Sequence, residues 1–153
     1  MEEPTESHRR LERLAGDWRG EETHHPFPGF PETVFAGARV RARFALNGLF
    51  LLRDYETRRD GELLYQGHGL YGWDARRQRY TIYWFDTAGT DPVAPALGEW
   101  SDETLVFEYH RGEQPMRLVY RFLDEDRYTF AVEADAPDGW KPILSGQYQR
   151  IAG

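Results

Sequence analysis

Between Gly16 and Arg150 the chain has no stretch long and helical enough to carry one strand back alongside another in parallel. Such a crossover needs a dozen or more residues. The span holds instead a series of segments in which apolar and polar residues alternate, separated by turn residues. Alternation with a period of two is strand periodicity, so the sheet must be antiparallel. The segments number about ten. A sheet of that size, with each strand joined to the next by a short turn, is expected to close into an up-and-down barrel. The predicted fold is all-β: an antiparallel barrel of about ten strands with a short N-terminal helix, one domain over residues 1–153.

The hairpin around Asn47-Gly48 is the most readable part. That pair suits a two-residue type I′ turn, and placing Leu46 opposite Leu49 fixes the register upstream. Arg41 then faces Asp54 and Arg39 faces Glu56 on one side of the ribbon. Phe44 meets Leu51, Val40 meets Tyr55 and Ala42 meets Arg53 on the other. Arg53 is thereby turned inward beside a small residue.

Residues 1–7 read as a loose tail, Ser7 as a helix cap, and His8 to Leu14 as about two helical turns with Leu11 and Leu14 inward. Gly16 ends the helix, and Trp18 shares one face of the first strand with Gly16 and Gly20. THHPFPGFPET has three prolines and a glycine in eleven residues. It cannot be regular strand, and its residues 26–31 are a candidate lid. The strand from Glu62 to Asp74 puts Tyr65, Gly67, Gly69 and Tyr71 on one face and Gln66, His68 and Leu70 on the other. Its glycines are expected to mark bends. RYTIYWF (79–85) is apolar enough on both faces to be covered. Pro92 and Pro95 confine any strand in 86–100 to an edge or to the part after Ala96.

Composition narrows the function. With no cysteine there is no disulfide or thiolate metal site. A net charge of −7 argues against nucleic acid or an anionic membrane surface as partner. No apolar run approaches the roughly 18 residues of a membrane span, and MEEPTESHRR lacks the order of a secretory signal. The expected location is the cytoplasm. Aromatic residues reach 15%, a surplus that barrel interiors absorb.

GDWRG, after a short helix, resembles the opening signature of the calycin superfamily, which includes lipocalins and fatty-acid-binding proteins. LAGDWRGEE, LNGLFLLRDYE, GLYGWDARRQRYTIYWFD and SGQYQR, in that order, are more closely similar to a bacterial calycin-like family that is a domain of unknown function. The resemblance implies that Arg150, with Arg121 as second candidate, covers Trp18 and closes the barrel. More distantly, G-x-W-x-G resembles the nitrobindins, which hold haem through a histidine near the C-terminus. The last two strands have no histidine (the five are His8, His24, His25, His68 and His110), so haem is not expected as a cofactor.

Candidates for lining a ligand cavity are Arg53, Tyr55, Tyr65, His68, Tyr71, Trp84, Tyr109 and Tyr120, with Trp18 and Phe44 also inward. An interior Arg needs either a carboxylate partner or a ligand anion. His24 and His25 point opposite ways on an extended chain and make a poor metal pair. Three readings stay open. The first is a barrel binding a small apolar or aromatic molecule whose polar or anionic end lies near Arg53. The second is a small isomerase- or hydrolase-type enzyme using His68 or Asp86 with a tyrosine. The third is an interaction module, a homodimer packing through the outer face of RYTIYWF.

Overall fold

The computed structural model describes residues 1–29, 31–89, 92 and 94–152. Phe30 of the candidate lid and Thr90, Asp91 and Val93 of the 86–100 segment lie outside the described residues. A helical turn, α1 (Glu6–Arg9), runs on as a tighter 3-10 turn (Arg10–Leu14). The strands are β1 (Gly16–His24), β2 (Val34–Ala45), β3 (Phe50–Arg59), β4 (Glu62–Asp74) and β5 (Arg79–Asp86). They continue as β6 (Ala96–Ser101), β7 (Thr104–Arg111), β8 (Gln114–Asp124), β9 (Arg127–Ala136) and β10 (Gly139–Arg150). Each pairs antiparallel with its neighbours in sequence, and β1 pairs with β10, closing a ten-stranded up-and-down barrel.

The β2–β3 register is the expected one: Arg41↔Asp54, Arg39↔Glu56, Val40↔Tyr55 and Ala42↔Arg53. The turn differs. Leu46, Asn47 and Gly48 all take left-handed φ, so the connection is a four-residue loop between Ala45 and Phe50 rather than a two-residue turn. The N-terminal tail packs against it. Asn47 Nδ2 donates to the Glu2 carbonyl at 2.9 Å, and Pro4 lies beside Gly48. These contacts replace the loose tail expected for residues 1–7.

The helix is capped at Thr5, not Ser7. Thr5 N–H donates to His8 Nδ1 at 3.0 Å, while the Ser7 carbonyl accepts from the Tyr80 hydroxyl at 2.6 Å. Burial, and then the neighbouring Arg9 charge, lower the His8 pKa below its ordinary value. Folding therefore favours the neutral ring. That contribution is present above 6.5 and is lost as the pH falls through the folded-state value. An NMR titration of the His8 ring should give a midpoint below 6.5; a midpoint above it would reverse the sign.

Leu11 and Leu14 are buried in the end of the barrel where β1 begins, hereafter the base. Arg10 lies over Trp100 and Arg13 over Phe122, each at 4.7 Å, so the helix is fastened on both sides. The opposite end, the mouth, is less closed. Among the described residues β5 pairs with β6 from Tyr80↔Gly98 to Ile82↔Ala96, and none of them is a ladder partner of Tyr83 to Asp86 on that side. Proline explains the late start of β6, because Pro92 and Pro95 cannot donate to a ladder.

The outer wall of β5 is not covered. Tyr83 and Phe85 are 40% and 49% exposed, against the expectation from RYTIYWF that both faces would be buried. The glycines of β4 also act otherwise than as bends alone. A Cβ on Gly67 would strike the Trp84 ring, and one on Gly69 would lie 2.6 Å from Tyr71 and 3.0 Å from Trp84. Trp84 lies flat across the space these two residues leave.

Candidate functional site

Inward positions recur at every second residue of each strand, so the interior is a stack of side chains. At its foot Trp18 is fully buried, with its indole N–H donating to the Leu14 carbonyl at 3.0 Å. Arg150 is opposite Trp18 in the β1–β10 ladder, and its guanidinium lies over the indole at 4.2 Å. The same side chain donates to the Ala15 carbonyl at 2.6 Å and to the Glu125 carbonyl at 2.9 Å, tying the seam to the helix and to the β8–β9 turn. Gly16 takes φ +113°, and a Cβ there would collide with this guanidinium. Arg121, the other candidate cover, is exposed on the outside of β8.

Above this floor sits Arg53, 2% exposed. Its Nη2 donates to the Tyr128 hydroxyl at 3.5 Å, and its faces are flanked by the rings of Tyr55, Tyr120 and Phe130 at 5.5 to 5.8 Å. No carboxylate of the described residues lies within 4 Å of it, and its buried Nε has no hydrogen-bond partner. Tyr71 and Tyr120 share one hydroxyl–hydroxyl bond of 2.6 Å beside it.

The interior also holds Glu22, likewise 2% exposed. The Tyr55 hydroxyl donates to both its oxygens at 2.6 Å, and the Tyr148 hydroxyl donates to Oε2. Tyr148 stacks on Tyr128 with centroids 4.9 Å apart, so Tyr55, Tyr128 and Tyr148 link the cation to the anion. Burial, and then the Glu22 charge, push the Tyr55 and Tyr148 phenols up. Burial also pushes Tyr120 far above its ordinary value. These phenols are neutral donors throughout the physiological range. His24 Nε2 stands 3.4 Å from Glu22 Oε1 toward the mouth, with no hydrogen-bond partner of its own.

At the mouth, Tyr65 donates to Asp86 Oδ2 at 2.7 Å, and the Trp84 indole N–H lies 2.8 Å from the Tyr65 hydroxyl and 3.0 Å from the same carboxylate oxygen. Burial, and then the bond to Asp86, raise the Tyr65 pKa. Asp86 is therefore a fixed acceptor that holds two rings against the wall. Tyr109 on β7 and Phe44 on β2 pack against the core from partly buried positions.

The structure gathers Arg53, Tyr55, Tyr71 and Tyr120 within the interior, with Tyr65, Trp84 and Tyr109 toward the mouth. His68 is a correction. Gly67 and Gly69 take the inward positions under Trp84, so the residue between them faces out, where its side chain is 74% exposed and its Nδ1 meets Asp54 Oδ1. An outward His68 cannot share an interior site with Asp86. His110 is exposed on β7, and His25 Nε2 bonds Ser145 Oγ at 2.8 Å. Among the described residues no three His, Asp or Glu side chains are grouped to hold a metal. Sequence reasoning missed Glu22, Tyr128 and Tyr148. Glu22 was two and four residues beyond Gly20 and Trp18 on a face already recognised as inward.

Fold and interior together define a class: a closed antiparallel barrel, shut at its base by a helix and a Trp–Arg pair, with charged and phenolic groups inside. Within that class the chain belongs to the family described as protein of unknown function (DUF1579), whose model matches residues 3–150. Among solved structures it is similar to Rv2717c from M. tuberculosis, with 15% identity and a TM-score of 0.72, over 97% of this chain and 99% of that one. It is also similar to the S-type phycobiliprotein lyase CPES from Guillardia theta, with 12% identity and a TM-score of 0.68, over 97% of this chain and 94% of that one. At these identities the likeness is one of fold. No curated protein matches the chain in sequence.

Proposed function

We propose that this chain is a calycin-like small-molecule-binding barrel that holds an apolar or aromatic ligand with a polar or anionic end directed to Arg53. The observation that carries the reading is the buried guanidinium with a free Nε and no carboxylate of the described residues within 4 Å. A buried donor left unpaired is costly, more so when it is charged, and a ligand oxygen would satisfy it. Tyr65, Trp84 and Tyr109 supply partly buried aromatic surface toward the mouth. The fold's likeness to a phycobiliprotein lyase is in keeping with a barrel that binds a small molecule. No helix among the described residues is long and apolar enough to cross a membrane.

Native mass spectrometry and titration with anilinonaphthalene sulfonate, an aromatic anion, test the reading. The wild type is expected to enhance the dye's fluorescence, and Arg53→Met to weaken binding at least tenfold while keeping a cooperative melting transition. Equal dye binding by both proteins, with no small molecule retained by either in the mass spectrum, would remove the anchoring role.

A further inference from the structure

Arg53 and Glu22 are the two charged side chains among the buried residues described. We infer that the ligand of this barrel is net neutral and dipolar: a zwitterion, or a molecule of equivalent polarity, with its acceptor end on Arg53 and its donor end on Glu22. The inference rests on the binding reading above and narrows its ligand class. The argument is one of charge balance. The two residues are linked through phenols rather than bonded to each other, and their formal charges cancel. A simple anion added beside Arg53 would leave the interior with an unbalanced negative charge in a poorly screened environment. A zwitterion would not.

Each end also has free capacity. Arg53 keeps an unpartnered Nε, while its Nη2 is engaged with Tyr128. Glu22 Oε1 takes a share of the Tyr55 hydroxyl and has His24 Nε2 at 3.4 Å, whereas Oε2 takes Tyr55 and Tyr148 both. An ionised carboxylate offers about four lone-pair sites, so an ammonium donor can be added. Tyr55 spans the gap: its ring lies 5.5 Å from the Arg53 guanidinium and its hydroxyl rests on Glu22. The charges thus stand roughly one phenol length apart, a reach that a carboxylate and an ammonium on one small molecule can bridge.

Three probes sharing an indole body separate the possibilities: tryptophan (zwitterion), indole propionate (anion) and tryptamine (cation), each titrated calorimetrically into the wild type at neutral pH. Tryptophan is expected to bind at least tenfold more tightly than either of the others. Glu22→Gln should bring tryptophan and indole propionate to equal affinity, and Arg53→Met should weaken both while sparing tryptamine. Indole propionate binding as tightly as tryptophan to the wild type would overturn the dipolar ligand and leave the Arg53 anchor standing. So would binding of the naphthalene dye with none of the three indoles. Failure of the dye and the indoles alike would sink the binding reading itself. The wild-type comparison needs no variant, so it decides the matter even if Glu22→Gln folds poorly.

Discussion

Replacing Trp18 by Ala is expected to lower the unfolding free energy by about 3–5 kcal/mol, enough to unfold a marginally stable domain. The indole is fully buried and fills the foot of the barrel. It touches Tyr128 edge-on at 4.7 Å, donates to Leu14, and carries the Arg150 guanidinium on its face. Its loss therefore leaves a cavity, an orphaned carbonyl and a loosened arginine together. Urea unfolding followed by tyrosine fluorescence measures the effect. Arg150→Ala alone should cost less, because a cation–π contact contributes about 0.5–2 kcal/mol and the lost carbonyl contacts about 1 kcal/mol each. The double variant should be more stable than the sum of the single losses predicts, since the two side chains share one contact. Strict additivity would mean that Arg150 stabilises the seam without Trp18.

The second large effect concerns the interior charges. Glu22→Leu is expected to destabilise the fold by about 3–5 kcal/mol, as removal of one member of a buried, compensated charge set does. It leaves Arg53 as the one charged side chain among the buried residues described, and it strips the Tyr55 and Tyr148 hydroxyls of their acceptor. Adding Arg53→Met to that variant should recover stability, because an apolar pair of similar volume avoids burying either charge. Chemical denaturation of the four proteins in this cycle checks it. A double variant weaker than Glu22→Leu by the full cost of Arg53→Met would show that the two charges do not compensate one another.

How much of this was legible from residues alone depended on whether a local pattern decided it. The β2–β3 register was readable because opposite charges and apolar pairs fell into line from a single turn position, and that held even though the turn itself became a four-residue loop. Arg53 followed from the same register. The position of His68 did not, because both faces of β4 look plausible in isolation. What decides between them is Trp84 on the next strand, whose ring needs the space that Gly67 and Gly69 leave. Tyr65 and His68 have opposite parity on one strand, so an interior list containing both needed a break in the alternation between them, and the one irregularity in this pairing falls before Tyr65. Glu22 was readable from parity and passed over because an acidic residue looks like surface. The phenols of Tyr55 and Tyr148, contributed by strands distant in sequence, make its burial tolerable. The contacts of the N-terminal tail carried no pattern at all, since they depend on where the hairpin loop comes to rest.

Nine of the ten strand pairings join neighbours in the sequence, and the β1–β10 seam alone unites the two ends of the chain. On a ribosome, β2 to β9 can therefore zip up in order of synthesis while β1 has one edge unpaired and Trp18 has no guanidinium over it. The barrel becomes a closed object only after its final strand has emerged. Until then it is an open sheet with two free edges, the geometry most prone to pair with another chain. The Trp18–Arg150 contact is thus a check on completeness as well as a clasp: a chain cut short before its last strand keeps the pairings from β1 to β9 and has no seam.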